Sequence, residues 1–242
     1  MRSITCSLLL SAALALLALP GRGRPAPAPE EGAPGPITAA QLKESAKKLH
    51  EIAYAIYKYN DTHLRLPTNL VSKDNKPLLS WRVQLLPFLG QGELYKRFKL
   101  DEPWDSEHNK KLVAAMPKLY APVRVKADPG KTFYQAFGGS NGWLKTGARI
   151  PASFPDGTSN TFLVAEAAKP VVWTRPDDLS FDGKDVPALG GLFDGRFHAA
   201  MADGQVLRFR KGIDPAILKL LIDPADGKRL PDDYGIDSEE IK

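Results

Sequence analysis

The stretch Thr38–Asn60 reads TAAQLKESAKKLHEIAYAIYKYN, and its spacing predicts the element on which the fold is built. Thr38 and Gln41 form a capping box: the threonine oxygen accepts from the third helical amide, and the glutamine reaches back to the cap. Ile37 and Leu42 stand on either side of the box, where an apolar pair staples the first turn. Leu42, Ala46, Leu49, Ala53 and Ile56 then recur at steps of four and three. That is one face of an amphipathic helix of about six turns, ending near Asn60. Lys43, Glu44, Lys47, Lys48 and Glu51 fall mostly off it.

Downstream the period changes. Leu78–Leu89 (LLSWRVQLLPFL) is apolar and aromatic and reads as a strand or a short helix. Gly92–Phe98 and Ser106–Ala115 read as short helices. Strands are expected at Thr132–Phe137 and, after the turn at Asp156-Gly157, at Thr161–Ala167. Phe197–Ala202 and Gln205–Phe209 flank Asp203-Gly204, a two-residue hairpin signal in which both residues take positive φ. Asp203 and Gly204 are therefore read as a structural turn. Asp214 and Pro215 supply a cap and a first-turn proline for a helix through Ile222. One long helix followed by several antiparallel strands makes an α+β domain. Its expected span is 38–225, followed by a polar C-terminal tail at 226–242.

Upstream, Arg2 precedes an apolar run from Ile4 to Leu19, and Pro20-Gly21 breaks any helix there. Residues 1–23 read as a secretory signal peptide, because the run is short and closed by helix breakers. Retention of the leader as an anchor is the alternative. Residues 24–37 are rich in Pro, Ala and Gly and read as a linker, since such a stretch cannot build a core. The expected location is periplasmic or extracellular, with no stable membrane span after cleavage.

The net charge of +5 falls to +3 once Arg2 and Arg22 leave with the leader. Basic and acidic residues alternate along the chain, so the concentrated basic stripe of a nucleic-acid binder is missing. Cys6, the single cysteine, lies in the leader, which leaves the mature chain without a disulfide or a thiolate ligand.

Candidate chemistry is sparse. His50, His63, His108 and His198 never pair at helical zinc spacing. Ser159 sits in Gly157-Thr-Ser-Asn-Thr161, where a nucleophile elbow needs a second glycine and a helix after it. The stretch reads better as a turn whose Ser, Thr and Asn side chains bond its own backbone. Asp156, Asn160 and Glu166 offer the oxygens of a calcium site without the spacing of a known calcium loop. No cofactor is expected, and calcium is the alternative. Among the four tryptophans, Trp143 lies in a glycine-rich stretch and, with neighbouring Asn141, is the candidate for stacking on a sugar ring.

Several stretches together carry a resemblance to a known family. They are Tyr57–Pro67, Leu79–Leu89, Leu94–Phe98, Asp101–Ser106, Asn109–Lys111, Asp156–Thr161 with Glu166, and Ala202–Gly204 followed by Val206 and Phe209. In order and spacing, over about residues 39–222, the chain resembles the planctomycete proteins that carry the domain of unknown function 1559. That family is also labelled bacterial extracellular solute-binding. The resemblance implies a pilin-like fold, an N-terminal helix on an antiparallel sheet, and no enzyme activity. Two departures stand out. The chain lacks the Gly-Phe-Thr-Leu-Ile-Glu type prepilin motif, so incorporation into a filament by that route is not expected. It also has Phe193 where many members place a histidine ten residues before the final Asp-Gly. The expected function is an exported, non-enzymatic pilin-like module that binds an envelope protein or a surface polymer. The alternatives are a solute- or carbohydrate-binding protein using Trp143, and a hydrolase centred on Ser159 or His198.

Overall fold

The computed structural model describes residues 35–125 and 127–237. The leader at 1–23, residues 24–34 of the linker and the last five residues of the tail lie outside the described residues. Helix α1 spans Ala39–His63 and opens on the expected capping box. The Gln41 amide donates to Thr38 Oγ1 at 3.2 Å, and the Thr38 amide donates to Gln41 Oε1 at 3.1 Å. The helix runs past its expected end because Asn60 is not a terminator. Asn60 is buried, and its Oδ1 accepts the Ile150 amide at 3.1 Å. Leu64, in the left-handed region at φ 54°, stops the helix, and Pro67 follows shortly after.

The buried face of α1 carries Ser45, Leu49, Ile52, Ala53, Ala55, Ile56 and Tyr59. Leu42 and Ala46 are only half-buried, so the face is rotated from the expected one at its first turns. Ser45, not Ala46, enters the core there, and the reason lies in its partners below. Full burial of Leu49, Ile52 and Ile56 is worth about 1.5–3 kcal/mol for each side chain.

The ambiguous stretch Leu78–Leu89 is helical. Ser80 caps α2, Trp81–Gln84, by accepting the Arg82 amide, and a 3-10 turn over Leu86–Leu89 carries Pro87 in its first turn. Helix α3 spans Gly92–Arg97, and the segment after it is a 3-10 helix over Asn109–Ala115. Five strands follow: β1 Lys131–Gly138, β2 Phe162–Val172, β3 Leu179–Ser180, β4 Phe197–Met201 and β5 Val206–Phe209. Helix α4, Pro215–Ile222, starts from the expected Asp214 cap.

The sheet order is β3-β1-β2-β4-β5, and every pairing is antiparallel except β1 with β3. α1 packs on the sheet, so the chain is an α+β fold with a long N-terminal helix on one layer. β2 lies between β1 and β4 and yet contains Pro170, which cannot donate to a ladder. The register with β1 jumps from Thr132–Val171 to Tyr134–Glu166, so Pro170 falls in the slack between. The Gln135 side chain covers that gap by donating to the Lys169 carbonyl at 2.7 Å.

Two expectations about loops are corrected. Of Asp203 and Gly204, only Gly204 has a positive φ, at 88°. The Gly204 amide donates to the Met201 carbonyl and the Met201 amide to the Gln205 carbonyl. The hairpin therefore has a three-residue loop closed by a left-handed glycine, not a two-residue turn with two positive φ values. Within the stretch 226–242 read as a polar tail, residues 235–237 run against the sheet. Ile236 bridges Phe209, the Arg210 amide donates to the Gly235 carbonyl, and Asp237 meets Arg208 at 3.1 Å. Among the described residues no helix is long and apolar enough to cross a membrane.

Candidate functional site

The register of the sheet lines up a row of polar side chains under α1. Tyr134 on β1 pairs across from Glu166 on β2, and Ala165 pairs with Ala199, which brings His198 on β4 beside Glu166. Glu166 has no exposed surface and His198 has 1%. The row survives burial because the carboxylate is surrounded by donors. Ser45, reaching down from α1, donates to Glu166 Oε1. The His198 amide donates to Oε2 at 2.8 Å, and His198 Nδ1 lies 3.2 Å from the same oxygen. Tyr134 closes the chain with its hydroxyl 2.9 Å from Ser45 Oγ. As the carboxylate can only accept, the protons order from Tyr134 to Ser45 to Glu166. Burial, and then the Glu166 carboxylate, hold the Tyr134 phenol far above the ordinary range.

These are the residue types of a hydrolase in the wrong arrangement. A nucleophilic serine must give its proton to the imidazole, and the imidazole must be held by the carboxylate. Here Ser45 and His198 both bond the carboxylate. His198 Nε2 is buried with no hydrogen-bond partner, and Phe193 closes on the imidazole ring edge-on at 5.3 Å. None of the clefts described below is lined by Ser45, Tyr134, Glu166 or His198. The row ties helix to sheet. Ser45 gave no sequence signal beyond a hydroxyl on the edge of an apolar stripe.

The sequence candidates separate in space. Trp143 is completely buried and its indole donates to the Leu163 carbonyl at 2.7 Å, so it cannot stack on a sugar. Its glycine-rich flanks let the backbone fold tightly; they do not expose the ring. Asn141 donates to Asp223 at 2.6 Å and lines a cleft of about 480 Å³ beside α4. Ser159 is exposed in its turn, where Asn160 donates to the Asp156 carbonyl and Thr161 to the Gly157 carbonyl. The Asp156 carboxylate accepts the Gly227 amide at 3.1 Å. Asp156 and Asn160 thus stand in a surface turn, whereas Glu166 is taken up by Ser45 and His198. The three oxygens read as a calcium set are not brought together. Among the described residues no group of three or more His, Cys, Asp or Glu is placed to hold a metal ion.

What the sequence left unmarked is a cleft of about 660 Å³ between α1 and the β4–β5 hairpin. It is larger than the cleft beside α4 and than one of about 430 Å³ on the other side of Tyr54. His50, Tyr54, Tyr57 and Asp61 come from α1, and Asp203, Gly204, Gln205 and Val206 from the hairpin. The spacing follows from helix geometry, since 50, 54, 57 and 61 share one face. Tyr57 pins the hairpin to the helix by donating to the Ala202 carbonyl. Burial raises the Tyr57 phenol above its ordinary value, and the Asp203 and Asp61 carboxylates add to the rise. Tyr54 is 58% exposed, and the Lys58 ammonium sits 4.4 Å from its ring centroid. The hairpin's Asp203 and Gly204, read as purely structural, are therefore also part of a cleft wall.

Residues 43–148 match a family model described as Protein of unknown function (DUF1559). The match takes in α1 from Lys43, α2, α3 and β1, and stops before Glu166 and the hairpin. No curated protein matches the chain, and no solved structure matches it.

Proposed function

Because residues 43–148 belong to the family of the domain of unknown function 1559, which carries no assigned chemistry, we propose that this protein acts by binding a macromolecular partner at its surface and not by catalysis. One observation carries the reading: the large cleft is an open groove with an exposed tyrosine and exposed carboxylates, while Ser45, Tyr134, Glu166 and His198 are sealed in the core. A groove walled by exposed residues suits an extended ligand that passes through, whereas retention of a small solute needs enclosure. Exposed aromatic residues beside polar groups are the usual anchors of such contacts. Export to the periplasm or beyond belongs to the same proposal and rests on the leader-like residues 1–23.

A photo-crosslinking residue placed at Tyr54 in the full chain tests the reading, with the same residue at Val71, 52% exposed, as control. Crosslinks to a macromolecule from position 54 and not from 71 are expected in the envelope fraction. Equal labelling from both positions, or none from 54, overturns it. The solute-binding label favours a second reading, a small ligand in the cleft that Asn141 and Asp223 line. A bound small molecule in a native mass spectrum of the purified chain would support that reading instead.

A further inference from the structure

We propose that the loop tip Leu192–Asp194 is a lid latched by Arg124, and that it opens locally, with the rest of the fold intact, to bare the Nε2 atom of His198. The inference concerns the buried row and goes beyond the groove reading, so neither depends on the other.

The loop is drawn together at its neck, where the Gly195 amide donates to the Gly190 carbonyl at 2.9 Å. Both glycines lie at positive φ, 83° and 94°, where a residue with a Cβ is strained. Beyond the neck Leu192 and Phe193 are fully buried, and Phe193 meets the His198 ring edge-on. The Asp194 side chain is largely exposed. Arg124 grips this tip. Its Nη1 donates to the Leu192 carbonyl at 3.0 Å and to Asp194 Oδ1 at 2.9 Å. Its Nη2 donates to Asp194 Oδ2 at 3.2 Å and to the Gly35 carbonyl at 2.8 Å. One guanidinium thus ties the lid to the segment that leads into α1.

Three features favour opening over a permanent plug. The lid packs on an apolar cluster of its own: Phe133, Leu192 and Phe193 stand apart from the main core, with Ile37, Leu42 and Val123 against them. Lifting the tip therefore leaves the main core in place. The closed state also buries polar atoms that it does not satisfy. Arg124 Nε and His198 Nε2 have no hydrogen-bond partner. Both sit against the tip, Arg124 at its backbone and His198 at its Phe193 ring. Water would satisfy both once the lid lifts, so opening costs less than the apolar burial alone implies. Asp194, finally, holds a left-handed conformation at φ 56°, unfavourable for a residue with a side chain and offset here by the ion pair with Arg124.

The chemistry that opening would expose is defined. Glu166 accepts at Nδ1, so the imidazole proton sits there and Nε2 keeps its lone pair. The open state offers a hydrogen-bond acceptor backed by a buried carboxylate.

Diethyl pyrocarbonate, which acylates a bare imidazole nitrogen, is applied to the full chain under native conditions, and labelling is read at each histidine by peptide mass spectrometry. The exposed His50, His63 and His108 serve as controls. His198 should be labelled more slowly than these, at a rate that stays flat in urea below the unfolding transition, since a local opening exposes little surface. Arg124→Gln should raise the His198 rate by about ten-fold, the weight of the charge-assisted bonds it removes, and leave the three controls unchanged. Asp194→Asn keeps a residue that tolerates the left-handed conformation and removes the ion pair, so it should raise the rate by a smaller factor. Amide exchange at Val164 and Ala200, paired between β2 and β4, should stay protected in both variants. No labelling at His198, a rate that climbs with urea as steeply as global unfolding, or the same rate in Arg124→Gln as in the unaltered chain each overturn the proposal. If Arg124→Gln loses the protection at Val164 and Ala200, the urea dependence of the unaltered chain decides.

Discussion

A carboxylate with no exposed surface has to be met by donors on every side, and Glu166 is met by Ser45, the His198 amide and the His198 ring. Glutamine at this position has nearly the same shape but turns one acceptor into a donor, which then faces other donors. Glu166→Gln should therefore destabilise the fold by about 2–4 kcal/mol in urea unfolding, the cost of leaving buried donors unpaired. Ser45→Ala removes one of the three and should cost about 1 kcal/mol. If Glu166→Gln left stability intact and abolished partner binding, the row would be a functional site and not a strut. Trp143 makes the complementary point. Tryptophan among glycines suggested an exposed ring, and the ring is in the core with its one donor satisfied. Local composition cannot report which way a side chain points when the backbone around it is free to turn.

At the scale of the element, α1 was the most legible part of the chain, because cap, staple and stripe agree. Its exact face was less so. The stripe through Ala46 and Ala53 holds at Ala53, which is fully buried, and drifts at the first turns to admit Ser45. Ala53→Asp should bury an unpaired carboxylate where the helix meets the core and lower stability by about 3 kcal/mol or more. Lys47→Asp, at a position whose side chain is 76% exposed, should change it by about 0.5 kcal/mol or less. Equal losses in denaturant unfolding would place the packed face elsewhere. The hairpin shows the opposite balance: Asp-Gly announced a turn, but the loop length depends on how β4 and β5 pair, and the glycine alone carries the positive φ.

For the whole molecule, pH reports how the core is assembled. Tyr120 and Tyr134 are fully buried phenols, and burial raises both far above the ordinary value of 10.0. A raised phenol favours the folded state while the unfolded chain keeps its proton, so its contribution is complete below pH 10. It is lost as pH rises beyond that value toward the folded pKa. Unfolding free energy should thus hold up to about pH 10 and then fall by about 1.4 kcal/mol per pH unit for each buried phenol. A flat stability profile between about pH 10 and 11 would mean that water reaches these hydroxyls in the native state.

The sequence by itself determined most of the elements: a capped amphipathic helix, four apolar strands, a turn at Asp203-Gly204, and a last helix opened by Asp214-Pro215. These are local, since caps, proline and periodicity act within a turn or two of the chain. Only the tertiary structure decided which residues share a place. Ser45 and Glu166 meet across 121 positions of sequence, and Tyr57 meets Ala202 across 145. Such pairs follow from sheet order and from the rotation of α1 about its axis, and no short window of sequence encodes either. The same reason hid the cleft: Tyr54, Tyr57 and Asp61 read as one flank of a helix, and they become a site only because β4 and β5 bring Asp203 and Val206 against them.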